Sequence, residues 1–197
     1  MPKSHEIGEE IEHVGHKNRG IALLVSVLAL FLAFAATAAN STRTEAITEN
    51  LNSANFWVFF QSNRIQRTLV QTTAEGVEAR PPVAADPATQ SARTGRVADW
   101  KKELARFESN PQGEQTKLGR EELMARARAA EHKRDVAMEK YHHYEVSAAA
   151  FEVGIVLASA TVVTGVAALA WIAGLLGVVG LGFLWLGAFA PHLVHLF

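Results

Sequence analysis

The chain has 197 residues, no cysteine, and a formal net charge of −1 from 19 Lys and Arg against 20 Asp and Glu. Without cysteine, the protein has no disulfide, thiolate metal site or thiol catalysis. Charge is also nearly balanced over residues 40–146, with 16 basic and 15 acidic side chains, which argues against a nucleic-acid-binding surface.

Two apolar blocks stand out from this balanced composition. Residues 20–39 contain no charged side chain, and residues 147–197 contain only Glu152. A helix needs about 20 apolar residues to cross a bilayer core about 30 Å thick, so the first block supplies one crossing and the second has room for two. The sequence therefore predicts an all-α integral membrane protein with three transmembrane helices. Their predicted bounds are 20–39, 147–163 and 168–189.

The first 19 residues form a polar leader. Ile7, Ile11 and Val14 recur at helical spacing, which predicts an amphipathic helix over residues 4–18 that either contacts the membrane surface or frays as a polar tail. Because the leader is long and acidic, we expect the first crossing to be retained, although Ala36-Thr37-Ala38 fits a signal-cleavage pattern.

Basic residues near the first crossing predict its orientation. Lys17 and Arg19 precede it, and Arg43 is the basic residue close behind it. By the positive-inside rule, we expect the N-terminus in the cytoplasm and the protein in the inner membrane, with lipid as its first partner. The insert at 40–146 and the tail at 190–197 would then lie on the opposite side.

The insert begins with a predicted helix over residues 44–70. Its apolar residues alternate in steps close to three and four, the spacing of a seam that packs against another helix. The seam consists of Ile47, Leu51, Ala54, Val58, Ile65 and Leu69. The cluster 56–60, which includes Trp57 and Phe60, is apolar on all sides of the helix. It needs contacts on more than one side, as a buried helix contact or as a ligand site.

Residues 76–113 are predicted to form a linker and the tip of the insert. Asp86-Pro87 and the neighbouring prolines interrupt the helical pattern between Gly76 and Gly95, which indicates a linker. A short amphipathic helix is predicted over Val97–Phe107, and Asn110-Pro111 ends it.

A stricter periodicity marks the second half of the insert. Residues from Leu123 to Ala148 alternate in steps of four and three, with Arg134 as the one charged position. This pattern predicts a continuous helix that begins in water and enters the membrane. We expect it to pack antiparallel against the 47–69 seam as a coiled-coil-like helical hairpin about 40 Å long. The predicted interaction residues, taken from the two seams and the 56–60 cluster, are Leu51, Trp57, Phe60, Ile65, Leu123, Ala130, Tyr141 and Tyr144.

The last apolar block is predicted to turn at Thr164-Gly165-Val166. Small residues in the crossings, among them Ala29 and Ala33 in the first, allow helix backbones to approach closely in lipid. The glycines of the last crossing are Gly174, Gly177, Gly180 and Gly182, and Pro191 ends it.

Glu152 is the candidate polar site within the membrane. It lies about five residues into the second crossing, where a carboxylate is either a proton or ion partner or an interfacial anchor. Histidines pair at 13 and 16, at 142 and 143, and at 192 and 195. These pairs do not supply three or four converging ligands, so neither a metal site nor a cofactor is predicted. The sequence has no phosphate-binding loop or G-x-S-x-G motif, and we expect no enzymatic activity.

Two stretches resemble a known family. Residues 52–65, NSANFWVFFQSNRI, are similar to the W-x-F-Y-Q-x-K-x-I stretch of DUF4337, a bacterial membrane family of unknown function. Residues 151–159 resemble the start of the family's second crossing. Phe60 stands where the family usually has Tyr, and Ser62-Asn63-Arg64 stands where Lys is common. The resemblance covers nearly the whole chain and implies the same topology, but it implies no activity.

Two functions are consistent with these features. The first is a structural or interaction protein that forms a homo-oligomer, or docks another membrane protein, through its seams and small-residue faces. The alternative is a small transporter or channel subunit that uses Glu152, in which Glu152→Gln would abolish flux.

Overall fold

The computed structural model describes residues 3–80, 86–114 and 117–193, with side chains described between Arg19 and His192 of those ranges. Within them the chain is entirely helical, with four α-helices and no strand. The helices are α1 (Lys3–Glu78), α2 (Pro87–Glu108), α3 (Arg120–Thr164) and α4 (Ala167–Phe189), followed by a short 3-10 helix (Pro191–Leu193).

Three of these helices are long and apolar enough to cross a membrane: α1 from Arg19 onward, α3 and α4. Only 17%, 33% and 17% of their most apolar stretches are buried inside the protein. Apolar side chains that remain on the outside of a helix are typical of segments in contact with lipid. The prediction of an all-α protein with three candidate membrane spans is therefore confirmed.

Helix α1 is continuous over 76 residues. Asn40-Ser41-Thr42, which follow the predicted end of the first crossing at residue 39, do not interrupt it. The hydroxyls of Thr37, Thr42 and Thr44 each donate to the carbonyl four residues earlier, so they do not compete with the helix. Residues 3–18 have a helical backbone, whereas the amphipathic face predicted there lies outside the described side chains.

Helix α2 is longer than the sequence predicts. It begins at Pro87 rather than Val97, and Asp86 is its N-cap, accepting a 2.7 Å hydrogen bond from the Thr89 N–H. Proline at the first helical position costs nothing, because that N–H has no partner within a helix anyway. The predicted linker is therefore wrong over its second half, since Asp86-Pro87 starts a helix instead of interrupting one.

Helices α3 and α4 are separated by Gly165 and Val166, which lie within the turn that the sequence places at Thr164-Gly165-Val166. Gly165 has φ +74°, a left-handed conformation that glycine adopts without strain. Its N–H donates to the Thr161 carbonyl at 2.9 Å, which closes the end of α3.

The chain divides into two compact units. We call Met1–Ala46 with Asp135–Phe197 the membrane unit and Ile47–Arg134 the insert unit. The core of the membrane unit repeats every seven residues along α1, where Ile21, Leu28 and Ala35 are buried. Phe151 and Ala158 of α3 show the same spacing. Seven-residue repeats keep one stripe of each helix facing its neighbours.

Three glycines of α4 pack against large side chains of the membrane unit. A methyl group on Gly177 would lie 2.8 Å from Leu28, one on Gly180 2.8 Å from the Phe151 ring, and one on Gly187 2.8 Å from the Tyr144 ring. Such contacts exist only because these positions lack a Cβ. By contrast, a methyl group on Gly174 or Gly182 would meet nothing within 4 Å, and Ala29 and Ala33 are exposed.

One buried hydrogen bond joins α3 to α4 in this unit. The Ser147 hydroxyl, fully buried, donates to the Gly180 carbonyl at 2.7 Å. Such a bond between helices stabilises a buried polar side chain, which would otherwise lack a partner. Gly180 therefore leaves room for the Phe151 ring, and its carbonyl accepts a hydrogen bond.

Candidate functional site

The side of α1 that faces α3 in the insert unit is polar. The carboxylate of Glu131 on α3 accepts hydrogen bonds from the Trp57 indole N–H at 2.8 Å and from the Ser53 hydroxyl at 3.4 Å. Ser53 is only 4% exposed, and Trp57 and Glu131 are half-buried. A hydrogen bond to a carboxylate is stronger than one between two neutral groups. The shorter of these two bonds is the one from Trp57.

Further contacts continue this polar face in both directions. The Asn63 amide donates to the Leu118 carbonyl at 3.0 Å, and the Arg134 guanidinium donates to the Asn50 side chain at 3.5 Å. Residue numbers therefore rise along α1 while their partners' numbers fall.

Two ion pairs of Glu108 join the end of α2 to α1 and to α3 within the insert unit. Glu108 lies 3.5 Å from Arg67 and 3.2 Å from Arg120. The Arg120 guanidinium also lies over the Phe60 ring, 5.9 Å from its centroid. This cation–π contact gives the half-buried Phe60 a partner within the insert unit.

The apolar seam predicted on α1 lies on the outside of the insert unit. Its large members are exposed at Ile47 (53%), Leu51 (58%), Val58 (61%), Ile65 (69%) and Leu69 (67%). Ala54 is exposed as well. We call these six residues the outer stripe. The predicted packing of this seam against the α3 seam is therefore wrong, because α1 turns Ser53, Trp57 and Asn63 toward α3 instead.

The outer stripe borders an open groove along α1. The groove has a volume of about 560 Å³, and the described residues that line it all belong to α1. They are Gln61, Arg64, Ile65, Thr68, Leu69 and Thr72. Monomeric proteins rarely expose contiguous apolar surface of this kind, so the outer stripe is the candidate interaction surface.

The predicted interaction residues separate into four groups. Leu51 and Ile65 belong to the outer stripe and are exposed, whereas Leu123 (2%) and Ala130 (4%) are buried on α3. Trp57 and Phe60 are half-buried and touch edge to face, with ring centroids 5.4 Å apart. The remaining two belong to the membrane unit: Tyr144 is buried against Gly187, and Tyr141 donates to Glu145 at 2.9 Å.

Glu152 lies on the surface of the membrane unit. Its side chain is exposed, while the neighbouring Phe151 is fully buried between the helices. A carboxylate exposed near the end of a candidate membrane span can extend to water. This position favours an interfacial anchor over a residue of an enclosed ion pathway.

Histidines attach the end of α4 to α3. His143, 1% exposed, has its Nε2 atom 2.9 Å from the Pro191 carbonyl oxygen, and the His192 Nδ1 atom lies 2.5 Å from a carboxylate oxygen of Glu139. Among the described residues, no group of three or more His, Asp or Glu could hold a metal ion. The side chains of His13, His16 and His195 lie outside the described residues.

Glu122 organises the junction between α2 and α3. Its carboxylate accepts a hydrogen bond from the Ser109 hydroxyl and another, at 3.1 Å, from the Asn110 N–H. Partial burial acts to raise the pKa of Glu122, but these hydrogen bonds favour the charged form, and the net pKa is lowered from 4.5.

We expect this junction to loosen in acid. Because the pKa of Glu122 is lower in the folded protein, its stabilising effect is complete above the ordinary value of 4.5 and is lost as the pH falls through the folded pKa. The protection of amide hydrogens at residues 109–114 and 117–123, measured relative to the intrinsic exchange rate at each pH, should therefore decrease below about pH 4.5. Glu122→Gln should remove most of this pH dependence. Glu121→Gln, at the exposed neighbouring position, is the control and should leave it unchanged.

Sequence reasoning missed the residues that hold the insert unit together. Ser53, Asn63 and Glu131 are polar, so a search for apolar periodicity passes over them. Glu131 follows directly after the buried Ala130, and this adjacency is the signal that could have marked it.

Nearly the whole chain matches one known family. Residues 17–190 match a family described as "Domain of unknown function (DUF4337)". The chain belongs to the DUF4337 family. No curated protein and no solved structure matches it. The residues matched to DUF4337 include the three candidate membrane spans and the whole insert unit, so the outer stripe lies within the family's domain.

Proposed function

We propose that this DUF4337 protein is an inner-membrane structural protein that self-associates, or docks another membrane protein, through its insert unit. The role is assembly rather than catalysis. The observation that carries the proposal is the exposure of the outer stripe, whose five large apolar side chains are between 53% and 69% exposed. Leaving such surface in water is unfavourable, and a partner helix would remove it from water.

The contacts of α1 with α3, and with Leu118 just before α3, support a helical hairpin as the form of the insert. The pairs Asn50 with Arg134, Trp57 with Glu131, and Asn63 with Leu118 follow an antiparallel order. In this proposal, residues 40–146 form an antiparallel stalk between the first and second crossings, and residues 76–113 form its tip. The polar contacts hold the stalk together and leave the outer stripe available to a partner.

Charge near the first crossing supports the proposed orientation. With Lys17 and Arg19 on the cytoplasmic side, the insert lies outside the cytoplasm and meets partners there. Membrane lipid covers the outside of the three spans. At most 33% of the most apolar stretch of each span is buried in the protein.

The assembly role is tested by the mass of the purified protein in mild detergent. Light scattering with the detergent subtracted should give a protein mass above that of one chain, or copurification should yield a stoichiometric membrane partner. Val58→Glu should weaken the assembly at least about tenfold, because burying an unpaired charge costs more than about 1.4 kcal/mol.

Asn52→Glu is the matched control for Val58→Glu. Asn52 is exposed on α1 but lies outside the outer stripe, so this variant should assemble like the wild type. A wild-type protein that is monomeric at all concentrations, and that cross-links to no other protein in native membranes, would contradict the proposal.

A further inference from the structure

The contacts of α3 with α1 give the depth of Glu152 in the membrane unit. Counted along α3 alone, Glu152 lies near the start of the uncharged block, which favours an interfacial anchor. Its neighbour Phe151, however, stacks on Phe31 of α1 and shares a core cluster with Leu28. These contacts place Glu152 beside the middle of the uncharged block of α1 at residues 20–39.

Helix α4 gives the same depth independently. A methyl group on Gly154 would lie 3.9 Å from Leu176, and the Phe151 ring fills the space beside Gly180. The middle of α4 falls between Leu176 and Gly180. Half of this helix of 23 residues is about 17 Å long, which matches half of a hydrocarbon core about 30 Å thick. Glu152 therefore lies near the centre of the bilayer.

The Glu152 side chain lies on the outside of the membrane unit. It is exposed, as are Val153 and Val156 beside it. The side chains one helical turn away on α3 are apolar and offer the carboxyl group no hydrogen bond; they are Ala148, Ala149, Ile155 and Val156. Residues 20–39, 146–164 and 167–189 contain no other ionisable side chain. Glu152 therefore faces lipid as the one titratable group of these segments.

We infer that Glu152 is a proton-binding site at the centre of the bilayer, open to lipid. At this depth, about 15 Å from either surface of the hydrocarbon core, a glutamate side chain is too short to reach water. An ionised carboxylate surrounded by apolar groups is costly, whereas a proton bound to one of its oxygens makes the group neutral. The inference does not rest on the proposed assembly role.

The surroundings of Glu152 favour a proton over a metal cation as the ligand. A hard cation binds several oxygen atoms at once, and the apolar side chains around Glu152 supply none. A proton needs only one carboxylate oxygen.

Carbodiimides test both the proton and the access from lipid, because they react with protonated carboxyl groups. The acid gives its proton to one carbodiimide nitrogen while its oxygen bonds to the central carbon. Transfer of the acyl group to a nitrogen then gives a stable N-acylurea. Dicyclohexylcarbodiimide dissolves in lipid, whereas a carbodiimide that carries a cationic dimethylamino group stays in water.

Glu145 is the matched control for Glu152. It is exposed on the same side of α3, two helical turns nearer the insert unit. Native membranes that contain the full-length protein are treated with each reagent at neutral pH, and the modified residues are mapped by proteolysis and mass spectrometry.

Dicyclohexylcarbodiimide should modify Glu152 at least about tenfold faster than Glu145, because only the carboxyl group in lipid is held in its neutral form. The water-soluble reagent should modify Glu145 and leave Glu152 unmodified. In Glu152→Gln the adduct from the lipid-soluble reagent should be lost, and in Glu145→Gln it should be retained.

Two results would overturn the inference. Equal modification of both residues by the water-soluble reagent would place Glu152 at the interface. A Glu152 that neither reagent modifies would be ionised or covered by another protein, and so would not be a proton site open to lipid. Both results leave the assembly role intact, since light scattering tests that role separately.

Discussion

Gly180→Ala is expected to destabilise the membrane unit relative to Gly182→Ala by about 1–3 kcal/mol, the usual cost of overfilling a packed core. A methyl group on Gly180 would lie 2.8, 2.9 and 3.1 Å from three atoms of the Phe151 ring. Phe151 is fully buried and stacks on Phe31 with ring centroids 5.9 Å apart, so moving its ring would disturb that packing. The added carbon must therefore displace either the Phe151 ring or α4.

Gly182→Ala is the matched control because both glycines lie in α4. A methyl group on Gly182 would meet nothing within 4 Å, and both substitutions gain the same helix propensity, about 1 kcal/mol. The difference between the variants therefore isolates the contact with Phe151. Unfolding by SDS in mixed micelles, followed by far-UV circular dichroism, measures it. Equal unfolding midpoints would show that α4 does not pack on Phe151 in the membrane.

Glu131→Ala is expected to destabilise the insert unit by about 1.5–3 kcal/mol, the range for hydrogen bonds to a charged group. The alanine removes the acceptor for the Trp57 indole N–H and the Ser53 hydroxyl. Ser53 is 4% exposed and would be left without this partner inside the protein. Tryptophan fluorescence during urea unfolding in detergent measures the change in stability. The emission of the folded variant should also shift to longer wavelength, because Trp57 becomes more exposed to water.

Glu131→Gln separates the role of the hydrogen bond from that of charge. Its amide oxygen can accept from Trp57 at the same position, so we expect it to retain more than half of the stability lost in Glu131→Ala. If Glu131→Gln is as unstable as Glu131→Ala, the negative charge of Glu131 is what stabilises the insert unit. If neither variant differs from wild type, the contact between α1 and α3 at Glu131 is absent in solution.

Much of the fold follows from local features of the sequence. The absence of charge over residues 20–39 predicts a membrane span in α1, and the same reasoning finds the two later spans. The turn between α3 and α4 is predictable because Gly165 combines poor helix propensity with freedom at positive φ. The 4-3 spacing on α3 predicts a packed stripe, and Leu123, Ala127 and Ala130 are indeed buried.

The candidate site could be predicted only in part. The periodicity of Ile47, Leu51 and Val58 predicts an apolar face on α1, and that face exists, but it is exposed rather than packed on α3. Apolar spacing shows that residues share a side of a helix; it does not show which neighbour that side meets. The start of α2 was missed for a related reason, since Asp86-Pro87 is typical of both a loop and a helix N-terminus.

The sequence by itself determined which segments can enter a membrane, because hydrophobicity and length are properties of each segment alone. Only the tertiary structure decided which side of α1 contacts α3. That choice depends on hydrogen bonds between residues far apart in the chain, such as Trp57 with Glu131 and Asn63 with Leu118. Buried polar groups must find partners, so these pairs direct the polar side of α1 inward and leave the outer stripe exposed.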